Sequence, residues 1–284
     1  MTLVVLGDLM VDVVTRMSGP LARGSDTPAR VSVEGGGSAA NVAAWAASLG
    51  SPVALVCRVG DDERGRAAVA QLRAGGVDVH ATLDPDRQTG TCVVLVEPGG
   101  ERTMLPDPGA NDAPLGRVPG GDHLHVVGYA LLRDGPRESA LAAIDHARAA
   151  GATVSVDPSS WALLYPGAIP EVDLLLPNEE EAEALGEQPA RETVVKLGPA
   201  GARWSDGSRT IHVPAEPGPV VDTTGAGDAF AAGLLVARLG GAGPREALEA
   251  GCRTAARAVA QVGARPSYDA VTRESIVETE TGNA

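Results

Sequence analysis

The sequence predicts an α/β protein: a doubly wound, mostly parallel sheet flanked by helices, with a small β lid. Three observations carry this expectation. Short β-rich apolar runs recur along the chain, Ala-rich stretches with helical spacing lie between most of them, and two segments of short alternating strands break that rhythm. Continuous apolar strands separated by helices imply a parallel sheet covered on both faces. With 284 residues, 44% of them hydrophobic, the chain can bury one full core, so residues 1–284 read as a single domain.

The runs LVVLG (3–7), VALVCRVG (53–60), LHVVGY (124–129), TVSVD (153–157), VDLLLP (172–177) and TVVKLG (193–198) are each of strand length. Helical periodicity fills SAANVAAWAASLG (38–50), RGRAAVAQLRAGG (64–76), RESALAAIDHARAAG (137–151) and NEEEAEALG (178–186), and returns at about 228–239 and 244–262. The lid is expected from segments about 15–34 and 88–106. There ARVSVEGG and TGTCVVLVEPGGERTML alternate, the second around a Pro98-Gly99-Gly100 turn that suits a hairpin. Strands crossing one edge of the main layer would cover the place where open α/β sheets bind ligands.

Charge narrows the partners. The formal net charge of −14 repels a phosphate backbone and an anionic membrane surface, so neither nucleic acid nor membrane is expected as a partner. Cys57, Cys92 and Cys252 have neither zinc-ligand spacing nor the density of a disulfide scaffold. Met1 leads straight into an apolar strand run, without a basic segment and apolar stretch of signal-peptide length, and a cytoplasmic protein is expected.

The chemistry concentrates in two segments. In VVDTTGAGDAFAAGLLVARLGG (220–241), Gly225 and Gly227 allow backbone conformations closed to other residues and place no Cβ in a ligand's way. If a helix starts near Asp228, its unpaired amides and the positive end of its dipole make an anion site that fits a phosphate group. An acid beside a phosphate repels it unless it accepts a proton from an attacking hydroxyl, which makes Asp228 a general base. The alternative is an ordinary first-turn Asp, stabilising its helix by about 0.3–1 kcal/mol. In EGGGSAANVAAWAASLGSPVALVCRVGDD (34–62), the Gly36-Gly37 backbone and the Asn41 amide suit sugar hydroxyls, and Asp12 adds a carboxylate that accepts from two neighbouring hydroxyls. Asn41 and the glycines equally suit a tight turn and local backbone bonds. Tyr129, ending a strand run, fits a wall of the sugar pocket or a core position.

Together these segments resemble the ribokinase-like (PfkB) family of carbohydrate and nucleoside kinases, over essentially the whole chain. The N-terminal signature is matched by Gly36, Gly37, Ala39, Asn41, Ala43, Gly50 and Gly60, and the C-terminal one by Asp222, Thr223, Gly225, Ala226, Gly227, Asp228, Ala232, Gly233 and Leu234. The resemblance implies that Asp228 is the catalytic base, that the amides of Gly225, Ala226, Gly227 and Asp228 form the anion hole, and that Asp12, Gly36, Gly37 and Asn41 hold the sugar. It implies that Asn178 and Glu181 position Mg²⁺ through its water shell, although an Asn followed three residues on by Glu is also a capping box. Lys196, Gly198 and Gly201 are implied along ATP. Asp222 and Thr224, with carbonyls from 262–267, match a monovalent-cation site of the kind that holds K⁺. Cys252 stands where the family often has an Asn near adenine.

The implied activity is transfer of the ATP γ-phosphoryl group to a hydroxyl of a small carbohydrate: ribose, fructose or a keto-deoxy sugar acid. A nucleoside kinase is the alternative within the family, but the lid segments hold no aromatic residue on which a base could stack. Arg102 and Arg133 are candidates to hold a carboxylate or phosphate, or are solvated surface residues. A non-catalytic sugar sensor on the same scaffold would have no need of Asp228, Asn178 and Glu181. Relatives often pair through lid strands, so a homodimer is expected.

Overall fold

The computed structural model describes residues 1–186 and 190–267, so the single-domain expectation for 1–284 extends outside the described residues at 187–189 and 268–284. In chain order the strands are β1 (Leu3–Leu6), β2 (Met10–Met17), β3 (Ala29–Gly36), β4 (Val53–Gly60), β5 (Asp78–Asp84), β6 (Thr91–Val96) and β7 (Arg102–Asp107). They continue with β8 (His123–Val127), β9 (Thr153–Asp157), β10 (Val172–Leu175), β11 (Ala190–Lys196), β12 (Ala202–Ser205) and β13 (Thr210–Val213). The helices are α1 (Ser38–Ser48), α2 (Glu63–Ala74), α3 (Tyr129–Leu132), α4 (Asp134–Ala149), α5 (Glu179–Leu185), α6 (Ala226–Leu239) and α7 (Pro244–Val259). None of the described helices is long and apolar enough to cross a membrane.

The main sheet runs β13-β12-β11-β10-β9-β8-β1-β4-β5, parallel from β11 to β5. The apolar runs dictate this, because each strand must bury side chains on both faces. Along β1, Leu3 and Val5 enter the core shared with α1, α2, α6 and α7, while Val4 and Leu6 enter the opposite core beneath α4. At one edge β12 and β13 add antiparallel strands that sequence reading did not anticipate, nor did it anticipate β5. Four-residue strands bounded by Gly201 and an Asp206-Gly207 turn leave almost no periodic run to detect.

Small residues bring the functional helices together. Ala39, Ala40, Ala43 and Ala44 of α1 and Ala229, Ala232 and Gly233 of α6 are buried. A Cβ on Gly233 would collide with Thr254, so α6 and α7 approach closely only because that position is glycine. The first turns of α1 and α6 consequently converge at the C-terminal edge of the parallel strands, where ligands of such sheets bind.

The second sheet has the order β3-β2-β6-β7. The β2–β6 pairing is parallel and the other two are antiparallel. It begins at Met10, ahead of the expected segment at 15–34, because only Gly7–Leu9 separate β1 from β2. Asp12 therefore lies within the second sheet and not at the end of the first strand run. Met10, Val14, Cys92 and Val94 pack together on the inner face. On the outer face Val33, Val13, Val93 and Leu105 stand in one row across all four strands, with Val33 70% and Leu105 54% exposed.

Candidate active site

The site is built around the start of α6. Gly225 is the N-cap residue in the left-handed region (φ 72°), and any Cβ there would meet Ala264 at 2.8 Å. Among the described residues the amides of Gly225, Gly227 and Asp228 donate to no protein acceptor, whereas the Ala226 amide folds back on the Thr223 carbonyl at 3.3 Å. Three bare N–H groups at a helix N-terminus are ready to accept an anion. Asp228 follows directly. Its Oδ1 accepts from Ser38 Oγ at 2.5 Å and its Oδ2 from Asn41 Nδ2 at 2.9 Å. Burial pushes its carboxyl up to about 7, against the Ser38 and Asn41 hydrogen bonds, with the charge of Asp157 adding to the rise.

Asn41 is committed at both ends of its amide. While Nδ2 donates to Asp228, Oδ1 accepts from Arg265 Nε at 3.2 Å. Arg265, itself buried, also donates to the Gly36 carbonyl at 2.7 Å and to Gln71 Oε1 at 3.2 Å. A guanidinium donates only, which fixes the amide with its NH₂ toward Asp228. Expected to face a sugar, the Asn41 amide here joins Arg265 to Asp228. The space beside the glycines is likewise occupied by protein atoms. The space beside Gly36 is filled by the Asp12 carboxylate, and Gly37 (φ 92°) packs its bare Cα against the Asp8–Met10 backbone.

Asp12 keeps an acceptor open. Its Oδ1 is buried and has no hydrogen-bond partner among the described residues, and burial pushes its carboxyl up to about 6. An orphaned buried acceptor has the character of a group that a ligand hydroxyl satisfies. Beside it Asp8, unremarked in the sequence, accepts from the Ser38 and Ala39 amides at the start of α1. Tyr129 is half-buried near Asp8, and burial, with the charges of Asp8 and Asp228 against that of Arg133, pushes its phenol up to about 12.

The opposite wall comes from β9, β11 and α5. Lys196 Nζ lies 2.5 Å from Asp157 Oδ2 and above the helix start, 3.5 Å from the point a Gly227 Cβ would occupy. Burial works against its ammonium, but Asp157 and Glu181 carry its pKa above the ordinary lysine range. Asn178 and Glu181 form a reciprocal capping box, with both bonds at 2.8 Å, which holds the buried Glu181 carboxylate in place. Burial and the charge of Asp157 raise the Glu181 carboxyl. No three metal-ligating side chains converge among the described residues, so a hard cation would find one or two carboxylates here and take its other ligands elsewhere. Next to Lys196 opens a cavity of about 310 Å³, lined by Gly198, Gly201, Gly227, Phe230, Cys252 and Val259 among others.

Asp222 and Thr224, expected at a cation site, are bonded to other protein groups. Asp222 Oδ1 accepts from the Thr224 amide at 2.8 Å and pairs with Arg102 Nη2 at 2.6 Å, and Oδ2 accepts from the Gly263 amide at 3.2 Å. The carboxylate already has a cation, supplied by the protein. Arg133 is likewise engaged, 4.9 Å above the Tyr129 ring and 3.5 Å from Asp112. Neither arginine stands free for an acidic sugar. Sequence reading missed Ser38, Asp157 and Arg265. Ser38 directly follows the flagged glycines, but nothing local ties Asp157 or Arg265 to Asp228, since long-range packing alone brings them there.

Comparisons with known proteins identify the family and the fold. The family model for pfkB family carbohydrate kinases matches residues 1–271. The chain is 35% identical to an ATP-dependent ribose-1-phosphate kinase of Halopiger xanaduensis, over 84% of this chain and 85% of that one. It is 33% identical to a fructokinase of Klebsiella pneumoniae (81% and 82% covered) and 32% identical to a ribokinase of Bacillus subtilis (81% and 83%). Among solved structures it is similar in fold to an adenosine kinase from Sinorhizobium meliloti, with a TM-score of 0.83, 24% identity and 97% and 98% coverage. A ribokinase from Thermotoga maritima superposes with a TM-score of 0.78 at 23% identity, covering 98% and 99%.

Proposed function

The chain belongs to the pfkB family of carbohydrate kinases and is an ATP-dependent kinase, and from that premise we propose that its acceptor is a neutral pentose or hexose such as ribose or fructose, phosphorylated with Asp228 as general base. The observation that carries the reading is the Asp228 carboxylate, raised to about 7 and set directly against three bare amides. A base whose pKa lies near the working pH is well matched to a hydroxyl that loses its proton as it is phosphorylated.

In the step, the acceptor oxygen forms a bond to the γ-phosphorus as the bond from that phosphorus to the β,γ-bridging oxygen breaks, and the hydroxyl proton passes to Asp228. The transition state is loose, so the protein supplies position and charge stabilisation. Ser38 and Asn41 each take one lone pair of the carboxylate and leave others for the acceptor. Asp12 receives further sugar hydroxyls. The amides of Gly225, Gly227 and Asp228, with Lys196 above them, hold the migrating phosphoryl group. The apolar cavity beyond Lys196 suits the ATP base, with Cys252 as an apolar wall. Mg²⁺ would be held near Asn178 and Glu181 through its water shell, neutralising phosphate charge when bound. The second sheet acts as the lid that keeps competing water out.

The preference for a neutral sugar rests on Arg102 and Arg133, both paired with protein groups, and on a second sheet without aromatic residues. The test is ADP release over ribose, fructose, ribose 1-phosphate, a keto-deoxy sugar acid and adenosine. Ribose or fructose is expected to give the highest kcat/KM. Fastest turnover of a phosphorylated or acidic sugar overturns the preference, and a sugar that binds in calorimetry without ADP release overturns the enzyme assignment. The exposed Val33–Leu105 row fits a homodimer formed through the second sheets, and Val33→Asp is expected to leave a monomer in sedimentation. The three buried free thiols fit a reducing cytoplasm.

A further inference from the structure

We infer that Arg102 is a built-in cation: carried by the second sheet, its guanidinium holds at Asp222 the position that a monovalent metal ion was expected to take, and so fixes the shape of the anion-cradle loop. The inference deepens the kinase reading by naming a positioning residue for its cradle, and only its activity arm depends on that reading.

The loop hangs on Asp222. This carboxylate reaches forward to the Thr224 amide, one residue before Gly225, and sideways to the Gly263 amide, one residue before the Ala264 against which Gly225 packs. It therefore sets the backbone on both sides of the left-handed residue that opens α6. A carboxylate in that role needs a positive partner, because its side chain is only 9% exposed and water cannot solvate its charge. Arg102 meets the need twice over. Nη2 lies 2.6 Å from Oδ1, and Nη1 donates to Thr223 Oγ1 at 3.1 Å, so the fork grips two consecutive residues of the loop. Arg16, on β2 of the same sheet, adds a second guanidinium 3.9 Å from Oδ2.

That arrangement does not fit an added metal ion. Both oxygens carry backbone donors, and a metal ion entering beside them would stand close to Arg102. Two like charges at such close range repel one another. The pair also spans the molecule: Arg102 begins β7 of the second sheet, and Asp222 precedes α6 of the main body. One contact thus supplies the cation and ties the second sheet to the cradle.

The test uses the purified full chain in potassium, sodium and tetramethylammonium chlorides at equal ionic strength, with two readouts: sugar-dependent ADP release and melting temperature. The wild-type protein is expected to vary less than about twofold in turnover among the three salts, with an unchanged melting temperature. Arg102→Gln is expected to lose turnover about tenfold or more in tetramethylammonium, a magnitude below that for removing an anion-hole donor outright. Potassium should restore several-fold of that loss and raise the variant's melting temperature, as a ligand bound only by the folded state does. Arg102→Lys, which keeps the charge, should stay independent of potassium. Potassium activation or stabilisation of the wild type overturns the inference. So does an Arg102→Gln variant that matches wild type in tetramethylammonium, or one whose loss potassium does not relieve. If no sugar elicits ADP release from the wild type, the kinase reading fails, and the melting temperatures still decide the role of Arg102.

Discussion

In Gly35-Gly36-Gly37 the space left by absent side chains is filled by the protein's own groups, whereas around Gly225 and Gly227 the amides stay open to the cleft. A Cβ at Gly35 would collide with Arg265, and one at Gly36 with Asp12. At Gly37 it would meet the Asp8 carbonyl at 2.7 Å and the Met10 amide at 2.8 Å. At Gly227 the nearest atom is Lys196 Nζ at 3.5 Å, an ordinary contact. The first segment uses glycine to pack buried polar groups that orient Asp228. The second uses Gly225 to turn tightly against Ala264 and Gly227 to leave the unpaired donors uncovered for a ligand. Two glycine-rich motifs in one chain therefore do different physical work, and composition alone cannot distinguish them.

The largest expected effect falls on the residue where the two segments meet. Asp228→Asn should lower kcat by about 100-fold or more, the range for losing a general base, with KM for sugar and ATP changed only a few-fold. Steady-state kinetics measure this. Near-normal turnover would mean that the open amides serve binding alone and that Asp228 only caps its helix.

One pair of alanine substitutions sharpens the contrast. Gly37→Ala forces a Cβ into backbone atoms at a positive φ and should destabilise the fold by about 2 kcal/mol or more, seen as a lower melting temperature or insoluble protein. Gly227→Ala sits in a helical turn with room for its methyl group, so the melting temperature should hold or rise slightly. Its turnover should nonetheless fall by about 10- to 100-fold, because the methyl group intrudes where the phosphoryl group must lie beneath Lys196. Equal thermal effects at the two positions would erase the distinction between them.

Much of the architecture was legible because its signals are local. Continuous apolar strands and small-residue helices predict the parallel sheet, and Asp228 stood out because an acid beside glycines at a helix start needs a chemical reason. Asn178 and Glu181 were legible as a capping box, which the structure forms, while a place near Mg²⁺ came only from the family resemblance. What escaped depends on distance in sequence. Arg265 reaches Asn41 across the whole chain, and Asp157 meets Lys196 only because β9 and β11 flank β10 in the sheet. The arginine partners of Asn41 and Asp222 escaped for the same reason, since each lies far away in sequence.

The remaining effects concern pH, and they compare Asp228 with Asp12, the acid beside Gly36. The Asp228 carboxyl lies at about 7 in the folded protein, above its ordinary value of 3.8. Below about pH 4 both folded and unfolded states hold the proton, and burial of the neutral group costs nothing extra. As pH rises from 4 to 7 the unfolded chain ionises freely while the native carboxyl does not, so stability is lost across that window and levels off above it. Asp228→Asn removes the titration. Its melting temperature relative to wild type should rise from pH 4 to 7 and then stay flat, a gap of about 1–4 kcal/mol by linkage. His123 and His125, buried with pKa values of about 3, lose stability in the opposite direction, as pH falls below 6.5. They are common to both proteins and cancel in the difference. Asp12→Asn should show the same sign with a smaller gap that saturates near pH 6, where its own folded carboxyl titrates. Melting curves of the three proteins from pH 4 to 8 decide it. A gap that does not change with pH at Asp228 would show a carboxylate at ease in its surroundings and remove the physical basis for its proton-accepting role near neutrality.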